Sequence, residues 1–133
     1  MAGASTVTIT VETTGLGDSI TKTNTKIMTV PVEMQTGYTV VATATTTAIQ
    51  LFDLIDHIAL AKIYGVYIKA EAGTIYITVD TAGTGTITSS TADLVLNSGE
   101  ACYLPINPGG NLGLIVDAAS ITDAFSWLVL GKS

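Results

Sequence analysis

The sequence predicts an all-β fold, an antiparallel β-sandwich of jelly-roll type with about nine or ten short strands. Three observations predict it. β-branched residues alternate with Thr and other polar residues in short runs, the period of a half-buried strand. Clusters of Gly, Asn, Asp, Ser and Pro separate those runs at regular intervals. Thr makes up roughly one residue in six, while the charged fraction is only 12%, about half the usual share.

The elements follow in order. Thr6-Val7-Thr8-Ile9-Thr10-Val11-Glu12 alternates strictly, placing Val7, Ile9 and Val11 on one side of a half-buried strand. Gly15 to Ser19 is a turn cluster, and Ile20–Lys26 reads as a loop or an edge strand. Ile27–Val32 reads as a strand whose Pro31 suits an edge or an end. Gln35-Thr36-Gly37 is expected to turn into a strand over Tyr38–Ala44. Thr46–Asp53 reads as a strand followed by a short helical turn or loop through His57, although the apolar positions from Ile49 to Leu60 also fit a helix face loosely. Tyr64–Ala70 and Thr74–Asp80 are strands whose short separation at Ala72-Gly73 predicts a hairpin. Thr81–Thr86 reads as a flexible loop. Asp93–Leu96, Glu100–Ile106, Leu112–Asp117 and Ala124–Leu130 complete the set. Alternation assigns Val66/Ile68, Ile75/Ile77, Leu94/Leu96, Leu114/Val116 and Phe125/Trp127/Val129 to the core.

Length and composition bound the class. A chain of 133 residues, 47% apolar, fits one domain over 1–133 with a single core. Disorder needs low hydrophobicity and high charge, and one Cys excludes a disulfide scaffold. The Thr-rich region 1–45 holds few large apolar side chains, so it is expected to contribute to contacts between subunits. The start of the chain lacks the basic and apolar regions of a signal peptide, and no apolar run is long enough to span a bilayer. Assembly in a cytoplasm with Cys102 reduced is the expectation.

Charge narrows the partners. The net charge is −6, there is no Arg, and Lys22, Lys26, Lys62, Lys69 and Lys132 are scattered. Phosphate recognition needs clustered Lys and Arg, and an anionic membrane surface needs the same. Neither nucleic acid nor membrane is expected as a partner.

Candidate chemistry is sparse. His57, beside Asp53 and Asp56, is the one acid–His grouping, but no second His or nucleophile elbow accompanies it. It reads as a polar turn residue. Asp80, Asp93, Asp117 and Asp123 could gather round a calcium ion, yet no Asp-x-Asp-x-Asp-Gly loop is present, and turn-forming Asp is the simpler reading. Gly83-Thr84-Gly85 and Pro108-Gly109-Gly110 lack the Lys-Ser/Thr of a phosphate loop and read as turns. Cys102 reads as a small buried hydrophobe. Tyr38, Tyr64, Tyr67, Tyr76, Tyr103 and Trp127 offer a stacking platform for sugars, with Tyr67 and Tyr76 as cross-strand neighbours if the Gly73 hairpin forms, or ordinary packing. No catalytic, cofactor or metal site is assigned, and the chain is not expected to be an enzyme.

From about Thr46 to Leu130 the chain resembles the small accessory structural proteins of tailed bacteriophages: head decoration, cement and head-fibre-type proteins. The order of elements carries the resemblance. Ala48-Ile49-Gln50-Leu51-Phe52-Asp53-Leu54 is followed by Tyr64-Gly65-Val66-Tyr67-Ile68-Lys69 and Thr74-Ile75-Tyr76-Ile77-Thr78-Val79. Leu94 to Glu100 then turns into Tyr103-Leu104-Pro105-Ile106, and an apolar strand closes the chain. Ala70 stands where similar proteins carry Asn. The resemblance implies a capsid decoration protein on the outside of a phage head, with the major capsid protein or other virion proteins as partners. It also implies residence in the virion. Ser5–Val11 and Tyr38–Thr47 carry no Lys or Pro to guard an open edge, so a homo-oligomer is expected from the residues themselves, and the resemblance makes it a trimer. A carbohydrate- or receptor-binding β-module of a virion appendage is the alternative.

Overall fold

Alternation leaves each strand with one face that must leave water, and two such sheets satisfy each other by stacking. The computed structural model describes residues 4–15, 17, 20–27, 33–41, 48–80, 87–106 and 113–132. Among these are ten strands: β1 (Thr6–Thr13), β2 (Ile20–Ile27), β3 (Glu33–Val40), β4 (Ile49–Gln50), β5 (Ile63–Ala72), β6 (Thr74–Asp80), β7 (Leu94–Asn97), β8 (Ala101–Pro105), β9 (Gly113–Ala118) and β10 (Ala124–Gly131). Two short 3-10 turns, Leu51–Leu54 and Leu60–Lys62, lie between β4 and β5. All strand pairs are antiparallel. The all-β sandwich expected from the sequence is therefore what the chain forms.

Two four-stranded sheets make the body, ordered β3-β10-β5-β8 and β4-β9-β6-β7, and β1 and β2 form a separate ribbon. The pairs are nested: β3 with β10, β4 with β9, β5 with β8 and β6 with β7. The core lies between the sheets. Val66, Ile68, Phe125, Trp127 and Val129 come from one sheet and Ile75, Ile77, Leu96, Leu114 and Val116 from the other, all buried. Leu94 is partly buried against them. Removing each such side chain from water contributes about 1.5–3 kcal/mol. Leu51, Phe52, Ile58 and Ile63 join the same cluster from the 3-10 region and the start of β5.

Several local expectations are corrected. β5 and β6 do not pair: each has its partners in a different sheet. Gly73, at φ +72°, is thus a corner between sheets, which its missing Cβ permits. The Asp123 carboxylate fills the space where a Gly73 side chain would stand. It accepts hydrogen bonds from Thr74 N and Ser120 N, both at 3.1 Å, tying the corner to the β9–β10 turn. Gln35-Thr36-Gly37 does not turn. β3 runs straight through it, because Gly37 leaves room for the Trp127 indole lying across the strand. Of the described part of the strand expected over Thr46–Asp53, only Ile49–Gln50 is strand, and a 3-10 turn begins at Leu51, where Gln50 accepts from Phe52 N. β1 is a strand, but Ile9 and Val11 are exposed rather than half-buried, because the β1–β2 ribbon has no core of its own. The edge-strand alternative holds for β2. The parts of the expected strands over 28–32 and 42–47, and the loop over 81–86, lie outside the described residues.

Candidate functional site

The body's two sheets differ in what covers their outer sides. Over β4-β9-β6-β7, Ile87 and Ala48 pack on Ile115, with Tyr76 and Ala92 against them. Asp117, fully buried, holds that cover: its carboxylate accepts from Ile87 N at 2.9 Å and from Ala118 N at 2.8 Å.

The outer face of β3-β10-β5-β8 is covered only in part. Directly opposite residues share a face, so Thr36, Leu128, Tyr67 and Tyr103 form one row across it. Tyr38, Ser126, Lys69 and Ala101 form the next. Over the β5–β8 half, β1 stands off the sheet and encloses a cleft of about 450 Å³. Tyr67, Tyr103, Leu128 and Leu130 line its sheet side, and residues 5–10 line the other. A register shift at Leu130/Gly131 accommodates Tyr64, whose hydroxyl shares a hydrogen bond with the Ser5 side chain and so fastens the start of β1. Over the β3 half no described element covers the face, and Met34, Tyr38 and Val40 are exposed.

The cleft is electrically quiet. Burial raises the Tyr64 hydroxyl above its usual pKa, partly offset by the Ser5 hydrogen bond. Burial also raises Tyr103, with neighbouring Tyr64 adding to it. The Tyr103 hydroxyl is buried across Gly65 and has no hydrogen-bond partner among the described residues. Burial raises the Cys102 thiol, against a smaller lowering from the Ile68 backbone. These groups stay protonated at neutral pH, so the cleft offers stacking and apolar contact rather than proton transfer. At the Ser126–Lys69 row Glu71 is held below the usual carboxylate range, first by the Ser126 hydroxyl at 2.7 Å and then by Lys69 at 3.3 Å.

The sequence candidates scatter. Tyr64, Tyr67 and Tyr103 meet on this face and Tyr38 lies on it, but Tyr76 is on the opposite outer face and Trp127 is in the core. Tyr67 and Tyr76 are therefore not cross-strand neighbours. His57 is exposed between the 3-10 turns, near Asp53 and Asp56, which are also exposed. Asp93 accepts from Val79 N at 2.9 Å, while Asp117 and Asp123 serve the anchors above. The Asp80 side chain, Gly83–Gly85 and Pro108–Gly110 lie outside the described residues. No group of three or more His, Cys, Asp and Glu gathers among the described residues. Sequence reasoning missed Leu128 and Leu130 as a second apolar face. Their signal was the unbroken run Trp127-Leu128-Val129-Leu130, since a strand apolar on both sides expects cover on both.

No protein-family model matches the chain, and the search of curated proteins returns no match. No helix among the described residues is long and apolar enough to cross a membrane.

Proposed function

We propose that the protein is a non-enzymatic virion structural protein of a tailed bacteriophage, a decoration or cement protein that binds the outside of the head and stabilises it. Nested strand pairing in two four-stranded sheets supports reading the body as a jelly roll, the double-sheet closure used by capsid and lectin domains. The observation that carries the functional reading is the neutral apolar surface left in water. Ile9 (52% exposed), Val11 (58%), Met34 (69%) and Tyr38 (63%) stand out on the ribbon and on one outer sheet face. Exposed apolar patches of this kind fit protein contacts, not chemistry. The partners in this reading are the major capsid protein or other virion proteins and further copies of the chain, as a trimer, and the location is the virion.

The test is cosedimentation with expanded, emptied tailed-phage heads, taken from the virions in which mass spectrometry finds this chain. Saturable capture and a raised capsid melting temperature are expected. Protein that stays in the supernatant overturns the reading. A second reading, a carbohydrate- or receptor-binding module, is favoured by the cleft with Tyr67 and Tyr103 on its wall. A glycan array separates the two: the decoration reading expects no binding there, and a specific sugar hit with no capsid capture selects the second.

A further inference from the structure

We propose that the β3 half of the outer sheet face receives the β1–β2 ribbon of a second copy of this chain. The expectation of a homo-oligomer belongs to the proposed function; the pair of surfaces is the addition. One half of this face already takes a ribbon, since the chain's own β1 overlies Tyr67, Tyr103 and Leu128. The other half continues the same sheet with no cover among the described residues, presenting Met34, Tyr38 and Val40. The ribbon's apolar side has exposed surface left over. Ile9 lines the cleft yet stays half in water, and Val11, outside the cleft lining, is exposed on the side shared with Lys22, its register partner.

Charge selects the pairing. The first 32 residues are neutral overall, so the whole net charge of −6 falls on residues 33–133. Contact between two bodies sets like charges together, whereas contact between ribbon and body does not. Lys22, opposite Val11, would arrive near Glu71, whose carboxylate already holds Lys69 and Ser126, the register partner of Tyr38, and would join them as a second cation. The edge of β3 supports the same geometry. It is the outermost strand of its sheet among the described residues, and β3 carries no Lys or Pro of the kind that guards an edge. A contact between two different surfaces closes as a reciprocal pair or as a ring.

Light scattering with size-exclusion chromatography tests this on the full chain without any capsid, so the capsid reading is judged separately. The wild type is expected to be a closed oligomer at micromolar concentration, and Val11→Lys and Tyr38→Lys are each expected to shift it to monomer. Both positions are exposed, and an unchanged near-ultraviolet circular dichroism signal from Trp127 establishes that the body still folds. In a Cys102→Ser background, Val11→Cys and Tyr38→Cys proteins mixed under mild oxidation are expected to give a cross-linked dimer containing one of each. A monomeric wild type overturns the proposal. An oligomer that keeps its mass in both Lys variants, or a mixture with no mixed cross-link, overturns it as well.

Discussion

Tyr103 carries a cost that one substitution can isolate. Its hydroxyl is buried beneath the ribbon with no partner among the described residues, and a buried polar group without a hydrogen bond costs about 1–3 kcal/mol. Tyr103→Phe keeps the ring across Gly65 and is expected to raise stability by about 1 kcal/mol in urea denaturation. The gain is expected to grow at high pH. Burial raises the folded pKa of Tyr103 above the usual tyrosine value of 10.0, so the unfolded chain gives up that proton first. Stability is full below about pH 10 and falls as pH climbs from there towards the folded value. A Phe variant as alkali-sensitive and as stable as the wild type contradicts this. Gly37 makes the opposite case. A methyl group there runs into the Trp127 indole, which is pinned by its Nε1 donating to Thr39 Oγ1 at 3.3 Å. Gly37→Ala is expected to cost about 1–3 kcal/mol as overpacking, read from the same urea curves.

At the level of elements, β6 and the ribbon mark the extremes. Ile77 of β6 is wholly buried in the core and pairs with Leu94 and Val116 on either side. Ile77→Ala is expected to cost about 2–5 kcal/mol, the range for a large-to-small change in a tight core. A cost below half of one kcal/mol, by this same scale, would mean the side chain points elsewhere. Among the described residues the ribbon is held by its own ladder, the Tyr64–Ser5 bond and contacts across the cleft. A two-stranded ribbon without a core is marginal in water. Amides of β1 and β2 in the monomeric Val11→Lys protein are therefore expected to exchange with deuterium much faster than those of β5 and β10. Equal protection by mass spectrometry would show the ribbon to be part of the cooperative body.

The whole molecule closes on itself by nested pairing, and buried carboxylates hold its covers in place. Asp117 and Asp123 spend their oxygens on backbone N–H groups, and a carboxylate so engaged has little left for a cation, which asks for six to eight oxygens if it is calcium. The melting temperature is expected to be the same with and without EDTA. A drop of several degrees would instead assign Asp80, Asp93, Asp117 and Asp123 to a metal.

Sequence by itself determined the class of fold, most strand positions and the core. Period-two alternation depends only on which residues avoid water, so Val66/Ile68, Ile75/Ile77 and Phe125/Trp127/Val129 were legible without knowing their partners. Tertiary structure decided which strand meets which. Alternating runs on either side of Ala72-Gly73 look the same whether they pair in one sheet or face each other across two, and the corner is selected by Asp123, 50 residues beyond Gly73. Gly37 likewise resembles a turn until Trp127 lies over it. The candidate surface was legible only as a set of aromatics. Its Tyr64, Tyr67 and Tyr103 come from β5 and β8, and a sequence pattern carries the face of each residue but not the neighbour that long-range pairing brings to it.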